Sequence, residues 1–106
     1  MRIISGEAKG VRLSALSSKK TRPILDRAKE SMFSILESSL LDGVVLDLFA
    51  GTGSLGIEAL SRGAKRCLFV ENSTNAIKVI KKNLRNANLL KRTVVLKINV
   101  FRLLDF

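Results

Sequence analysis

Three features of the segment between residues 44 and 71 have the residue types and spacing that could bind a ligand. A glycine-rich turn of the form Gly51-x-Gly53-x-x-Gly56 lies between two acidic residues, Asp47 and Glu71. Glycines let the backbone approach a ligand closely, because no Cβ atom stands in the way. Glu71 follows Gly51 by 20 positions, and a carboxylate there can accept hydrogen bonds from both hydroxyl groups of a ribose. The pattern predicts a site for an adenosine-containing cofactor.

Asp47 bears on which cofactor this is. It lies four residues before Gly51, where a dinucleotide site would hold its pyrophosphate. A fixed carboxylate repels phosphate, but it can bind the ammonium group of a methionine moiety through a charge-assisted hydrogen bond. We therefore expect S-adenosylmethionine, with the nicotinamide cofactor of an oxidoreductase as the alternative. A P-loop is excluded, since no Gly-Lys-Ser/Thr follows the turn.

Asn99 is expected to complete the cofactor site. It follows a third apolar run, and the carboxyl ends of parallel strands face one crevice. Its side chain could bind the adenine edge or could cap a following helix, and one residue can do both. The expected cofactor-binding residues, flanking positions included, are Asp47, Phe49, Gly51, Gly53, Glu71, Asn72 and Asn99.

The elements that would position these residues alternate in type. An apolar run typical of a strand buried on both faces covers 44–49, a second buried strand is predicted at 66–70, and a third strand at 93–98. Helical spacing of apolar residues covers about 24–38, a short helix after the turn, a helix from Asn72 or Ser73 to about 86, and a last turn at 100–105. Strands alternating with helices imply parallel βαβ units. The fold class is therefore α/β, with residues 39–106 as one partial cofactor-binding unit.

The first 38 residues indicate a basic arm followed by a helix. Residues 1–20 alternate short apolar pieces with glycines and cations, which is typical of an exposed β-hairpin or arm. The chain has 19 Lys+Arg against 9 Asp+Glu and a net charge of +10, which favours a polyanionic partner such as nucleic acid over a merely soluble basic protein. The cations expected to bind nucleic acid are Arg2, Lys9, Arg12, Lys19, Lys20, Arg22 and Arg27.

A second basic stretch runs from Lys78 to Arg102, with eight basic residues and no acidic one. It could contact phosphates or could simply be a solvated helix face.

Cysteine, histidine and hydropathy exclude several classes of protein. Cys67 is the only cysteine and histidine is absent, so neither a disulfide framework nor a cluster of metal ligands is expected. No apolar stretch approaches the roughly 18 residues of a membrane span, and the N-terminus lacks the apolar core of a signal peptide. We expect a cytoplasmic protein without a metal or a membrane partner.

Four stretches of the sequence resemble a known family. They read RIISGEAKGVRL, TRPILDRAKESMF, LDLFAGTGSLGIEALSRGA and FVENSTNAIKVIKKNL, and together they are similar to the bacterial methyltransferases that modify guanine N2 in 16S ribosomal RNA. The resemblance implies a Rossmann-like fold and methyl transfer from S-adenosylmethionine to RNA, either naked or within the small-subunit particle. It also implies that the cofactor contacts Asp47, Gly51, Gly53 and Glu71, with Asn99 on the adenine side. The segment expected near cofactor and substrate comprises Thr21, Arg22, Pro23, Asp26 and Arg27.

One departure from the family pattern concerns catalysis. The family has an Asp/Asn-Pro-Pro-Tyr/Phe motif after its fourth strand, whereas Pro23 is the only proline here. No catalytic residue is therefore assigned, and we expect these residues alone to bind cofactor weakly without turnover, as a fragment of a longer protein would. The strand at 44–49 would then be an apolar sheet edge that favours self-association or partial disorder. The alternative function is a nucleic-acid-binding module that retains the fold without catalysis.

Overall fold

The computed structural model describes residues 1–16, 26–48 and 50–104. Six sequence-predicted positions lie outside these ranges: Lys19, Lys20, Thr21, Arg22, Pro23 and Phe49. In chain order the described elements are α1 (Asp26–Leu40), β1 (Val44–Asp47), α2 (Ser54–Ser61), β2 (Arg66–Glu71), α3 (Thr74–Asn86), a 3-10 turn (Leu90–Arg92), β3 (Thr93–Lys97) and α4 (Val100–Leu104).

The three strands form one parallel sheet in the order β1-β2-β3. Val45 lies opposite Cys67 in the first pair, and Phe69 lies opposite Val95 in the second. The helices that follow β1 and β2 return the chain for parallel pairing, as predicted from the alternation of elements. The α/β class is confirmed, and the sheet is consistent with a partial Rossmann-like fold.

Some element bounds differ from the sequence prediction. Helix α1 continues to Leu40 rather than ending at 38, because Leu40 is buried in the core and the backbone first takes a positive φ after the helix at Asp42, 58°. Strands β1 and β3 end earlier than predicted, at Asp47 and Lys97. The helix after β2 has Ser73 as its N-cap, with the hydroxyl oxygen accepting a bond from the Ala76 N–H at 3.3 Å.

The prediction that β1 is buried on both faces was wrong. Its alternate residues Val44 and Leu46 are 73% and 53% exposed, whereas Val45 and Asp47 are half-buried. Within the described residues β1 pairs with β2 alone and forms one edge of the sheet. Its place at the edge of the described sheet agrees with the apolar sheet edge that the sequence predicted for this segment.

The arm, defined here as residues 1–16, crosses back on itself through a single antiparallel bridge between Arg2 and Arg12. Backbone hydrogen bonds from the Ile3 N–H to the Val11 carbonyl oxygen and from the Leu13 N–H to the Met1 carbonyl oxygen, both 2.9 Å, pair its two halves as in the predicted hairpin. Its Ile3 and Leu13 side chains belong to the core rather than to an exposed arm. Gly6 lies directly against α2 with φ +90°, and a Cβ there would come within 1.8 Å of the Ser61 carbonyl oxygen. The arm is thus packed onto the α/β unit while its cations point outward.

A buried ionic cluster fastens the arm to two helices. The Glu58 carboxylate, fully buried in α2, accepts hydrogen bonds from the backbone N–H groups of Ile4 and Ser5 at 2.9 and 3.1 Å. It also pairs with Lys29 of α1 at 3.3 Å and with the Arg62 Nε at 2.8 Å. Lys29, 1% exposed, in turn donates to the Arg2 carbonyl oxygen at 3.0 Å. Arm, α1 and α2 therefore meet at one carboxylate.

Helix α2 lies in close contact with the sheet. A Cβ on Gly56 would come within 2.4 Å of a ring carbon of Phe69 and 2.7 Å of the Cys67 sulfur. Gly56 is therefore required by packing rather than by backbone conformation, and it brings the helix down onto β2. None of the described helices is long and apolar enough to cross a membrane.

Cys67 provides a prediction about pH. Burial, with a smaller effect from the negative charge of Asp47, raises the pKa of the thiol to about 12. A raised folded-state pKa means that its contribution to stability is complete below the unfolded pKa and is lost as pH rises through the folded one. Between about pH 8 and pH 10 the free energy of unfolding should fall by about 1–2 kcal/mol more in the wild type than in Cys67→Ala. Urea titrations at both pH values measure this, and equal losses in the two proteins would contradict it.

Candidate functional site

The glycine turn connects β1 to α2 at the carboxyl edge of the sheet. Gly51 and Gly53 both have positive φ values, 55° and 81°, a backbone conformation that residues other than glycine rarely adopt. A Cβ on Gly51 would meet no atom within 4 Å, whereas one on Gly53 would approach Ile57 and Ile80 at 3.3 Å. The backbone at Gly51 therefore faces open space in which a ligand could lie, while Gly53 is needed where the turn packs on the interior.

Glu71, at the end of β2, holds the glycine turn. One carboxylate oxygen accepts the Gly51 N–H at 3.0 Å, and the other accepts the Ser73 N–H at 2.7 Å. Each carboxylate oxygen has a second lone pair, so the group can still accept hydroxyl hydrogen bonds. The sequence predicted Glu71 as a ligand contact, but the structure adds that the same carboxylate fixes the turn.

Two adjoining cavities open beside Glu71. The first, about 210 Å³, is lined by Leu48, Val70, Glu71, Asn72, Ile98, Asn99, Val100 and Phe101. The second, about 380 Å³, shares Asn72, Ile98 and Asn99 with it and adds Lys97 and Arg102. Three of the residues predicted from sequence, Glu71, Asn72 and Asn99, are thus brought together at the ends of β2 and β3. The first cavity combines apolar walls with a few polar groups, as small-molecule sites usually do.

Asn99 caps α4. Its side-chain oxygen accepts the Phe101 N–H at 2.9 Å, and its carbonyl oxygen accepts the Arg102 N–H at 3.0 Å. The cap uses the side-chain oxygen and not the amide nitrogen. The two interpretations of Asn99 from the sequence, helix cap and adenine contact, are therefore compatible in one conformation.

Asp47 ends β1 and lies opposite Phe69 of β2. It does not line either cavity, although its charge reaches Cys67 and contributes to the raised pKa of that thiol. Asp47 is half-buried, at the same edge of the sheet as the glycine turn. Its chain neighbour Leu48 lines the first cavity, so a ligand in that cavity would have to extend beyond it to contact the Asp47 carboxylate.

The predicted nucleic-acid contacts that the structure describes are all exposed: Arg2, Lys9, Arg12 and Arg27. On α3 the four basic residues Lys78, Lys81, Lys82 and Arg85 are also exposed. Arg92, by contrast, is used within the fold, where its guanidinium donates to the carbonyl oxygens of Leu60 and Ala64 and pairs with Glu7. It caps the carboxyl end of α2 and is therefore less available for phosphate than the exposed cations that the sequence predicts as nucleic-acid contacts.

Two buried polar residues that hold the glycine turn and the arm in place were not predicted from the sequence. Asn83 of α3 is fully buried and donates to the Thr52 carbonyl oxygen in the glycine turn at 3.0 Å. Glu58 holds the arm on α2 through its buried carboxylate. Asn83 follows Ala76 and Ile80 at helical spacing on the buried side of α3, and a polar residue at such a position is the signal that could have singled it out.

The fold and the glycine turn belong to one class, the Rossmann-like methyltransferase fold. A solved structure named "Putative methyltransferase yhhF from Escherichia coli" matches at a TM-score of 0.86 and 32% identity, over 99% of this chain and 56% of that one. The chain belongs to the family described as "Conserved hypothetical protein 95", which matches residues 1–105.

Two named relatives of the chain are also methyltransferases by name. "Putative rRNA methyltransferase YlbH" of Bacillus subtilis is 47% identical over 95 residues, which cover 90% of this chain and 52% of that protein. "Ribosomal RNA small subunit methyltransferase D" of Haemophilus influenzae is 45% identical over 85 residues, 80% of this chain and 44% of that protein. The resemblance inferred from the four sequence stretches is confirmed. The chain spans about half the length of these relatives.

Proposed function

We propose that this chain forms the cofactor-binding and RNA-docking part of an S-adenosylmethionine-dependent methyltransferase that acts on guanine N2 of small-subunit ribosomal RNA. The observation that carries the proposal is the Glu71 carboxylate, which holds the Gly51 N–H at 3.0 Å beside a cavity that also contains Asn72 and Asn99. The named relatives support ribosomal RNA as the substrate. Such a reaction belongs in the cytoplasm, on naked RNA or on the small-subunit particle.

The described residues fit S-adenosylmethionine through four contacts. Glu71 accepts the ribose hydroxyls with its remaining lone pairs, Asn99 offers its amide nitrogen to the adenine, and the open backbone at Gly51 admits the methionine part. Asp47 then lies at the other end of the site, where a carboxylate attracts the ammonium group. When bound, the cofactor supplies an electrophilic methyl group, and these residues hold it in a fixed orientation.

The RNA is proposed to contact the arm. Arg2, Lys9 and Arg12 are exposed there, and Arg27 is exposed at the start of α1. Guanidinium and ammonium groups on a surface bind phosphates without reading sequence, so these residues would dock the RNA rather than select the target base. The arm is packed onto the same unit as the glycine turn. The position of RNA docked on the arm would therefore be fixed relative to the cofactor.

The target amine must be positioned by residues other than those of the cofactor site and the arm. Effective transfer requires the attacking nitrogen to be oriented at the methyl carbon, and the sequence contains no Pro-Pro motif of the family kind. We therefore propose that the 106-residue chain alone binds cofactor weakly and does not methylate RNA.

Isothermal titration calorimetry tests the cofactor proposal. The chain is titrated with S-adenosylmethionine, and NADH is then added as a competitor. Heat of binding that NADH does not suppress supports the proposal. Displacement by NADH would favour the oxidoreductase alternative. The absence of any heat at about millimolar ligand, with retained affinity for ribosomal RNA in a filter-binding assay, would favour a non-catalytic nucleic-acid-binding module.

Self-association through β1 is a separate expected outcome. Val44 and Leu46 are more than half exposed on the strand that forms the sheet edge of the described residues, and an apolar edge invites pairing with a second copy. Sedimentation velocity should show an average mass that rises with protein concentration, and Leu46→Lys should reduce this rise. A wild-type monomer at all concentrations would contradict the expectation.

A further inference from the structure

We propose that Asn83 is a positioning residue that couples the arm to the glycine turn, so that binding of RNA by one and of cofactor by the other are linked. The inference rests on the proposed function and goes beyond it, because Asn83 itself touches neither ligand. Asn83 lies on the inner face of α3 and is 0% exposed. A fully buried amide must have its polar atoms satisfied within the protein.

The side-chain amide of Asn83 makes three hydrogen bonds to two separate segments. Its oxygen accepts the Ser14 N–H at 2.7 Å, and its nitrogen donates to the Ser14 carbonyl oxygen at 3.1 Å. The same nitrogen donates to the Thr52 carbonyl oxygen at 3.0 Å. Ser14 belongs to the arm, whereas Thr52 lies between the two glycines with positive φ.

The chemistry of this contact requires an asparagine. One acceptor and two donors are needed within a single planar group, and an aspartate would present a charged oxygen to two carbonyl oxygens. An alanine would leave the Ser14 N–H and the carbonyl oxygens of Ser14 and Thr52 without these partners. Since Thr52 is 9% exposed, water has little access to replace the lost bond. Displacing the arm at Ser14 therefore disturbs the turn at Thr52, and the reverse is equally true.

This link has a functional consequence. The arm carries Arg2, Lys9 and Arg12, the cations proposed to dock RNA, and the turn carries Gly51 and Gly53. When two sites share one ordered element, a ligand that orders one site favours binding at the other, and the effect is reciprocal. S-adenosylmethionine should therefore strengthen RNA binding, and RNA should strengthen cofactor binding by the same factor.

Amide hydrogen exchange of the wild-type chain tests the link without any substitution. Saturating S-adenosylmethionine should slow exchange of the Ser14 N–H about fivefold more than that of the Ala8 N–H. Ala8 is the matched control, because it also belongs to the arm and donates to a buried side chain, the Ser61 hydroxyl at 3.0 Å. Ser61 lies at the far end of α2 from the turn. Equal slowing at Ser14 and Ala8 would overturn the proposal.

Two variants provide an independent measurement by calorimetry. Asn83→Ala should raise the dissociation constant of S-adenosylmethionine about tenfold and reduce the coupling between cofactor and a ribosomal RNA fragment to none. Ser61→Ala removes an arm contact of similar burial and should leave cofactor affinity within about twofold. Unchanged affinity in a folded Asn83→Ala would overturn the proposal. If Asn83→Ala does not fold, the wild-type exchange experiment decides.

The two proposals fail in different ways. If S-adenosylmethionine produces no heat and no change in exchange at the Gly51 N–H, the proposed cofactor site is wrong, and the proposed coupling is wrong as well. If cofactor binds and protects Gly51 while Ser14 behaves like Ala8, only the role of Asn83 is wrong.

Discussion

Replacing Glu58 with alanine should lower the free energy of unfolding by about 3–5 kcal/mol, because the substitution leaves Lys29 charged and buried without its partner. Lys29 is 1% exposed and its ammonium lies 3.3 Å from the Glu58 carboxylate. The change also removes the acceptor for the Ile4 and Ser5 N–H groups. Urea unfolding monitored by circular dichroism measures the loss, and the arm should become the first segment to exchange its amide hydrogens.

Two further variants distinguish the effect of the Glu58 charge from the effect of its side-chain volume. Glu58→Gln keeps the shape and an acceptor for the arm. Combining it with Lys29→Met should recover part of the lost stability, because the buried ammonium is removed and only Arg62 is left without its carboxylate partner. Glu37→Ala, on the exposed side of α1, is the matched control and should change stability by less than about 0.5 kcal/mol. A loss below about 1 kcal/mol for Glu58→Ala would show that the cluster is not a structural anchor.

Asp47→Ala should weaken S-adenosylmethionine binding about tenfold to a hundredfold, since a hydrogen bond to a charged group contributes about 1.5–3 kcal/mol. The carboxylate is proposed to bind the ammonium group of the methionine part, and it is half-buried at the end of β1. Asp47→Asn keeps the size of the side chain and should lose most of the same affinity. Calorimetry of each variant gives the dissociation constant.

The ligand supplies its own control for Asp47. Adenosine has no ammonium group, so its affinity should be the same in the wild type and in Asp47→Ala, whereas Glu71→Gln should weaken both ligands. A parallel loss of adenosine and S-adenosylmethionine in Asp47→Ala would mean that the substitution disturbs the turn instead. Retention of full S-adenosylmethionine affinity would remove Asp47 from the site.

The order of elements was predictable because each has a strong local signal. The apolar runs, the glycines of the turn and the Ser73 cap all act within a few residues, and the structure confirms the α/β alternation that they indicate. The proximity of Glu71, Asn72 and Asn99 also followed from the rule that parallel strands end at one edge. The family that the four sequence stretches resemble is confirmed by a match over residues 1–105 and by the named relatives.

The contacts between distant segments were not predictable. Glu58 and Lys29 are separated in sequence from the arm that they hold, and a charged residue in a helix is ordinarily interpreted as solvent-exposed. Arg92 belongs to a basic stretch, yet it binds the carbonyl oxygens at the end of α2. The position of β1 at the sheet edge was predicted, but the exposure of Val44 and Leu46 on one face was not, because an apolar run does not reveal which side of a sheet is covered. Each depends on tertiary packing, which periodicity does not encode.

The missing Cβ of Gly56 bears on how the protein would respond to a ligand. Because α2 lies directly against Phe69 and Cys67, a side chain has no room at this position, and the first turn of the helix is kept close to β2. A binding loop that is partly held in place before association loses less conformational entropy when a ligand orders it. A bulkier side chain at Gly56 would push α2 away from β2 and loosen the loop that precedes the helix, so the ligand would have to order more of the loop and its affinity should fall.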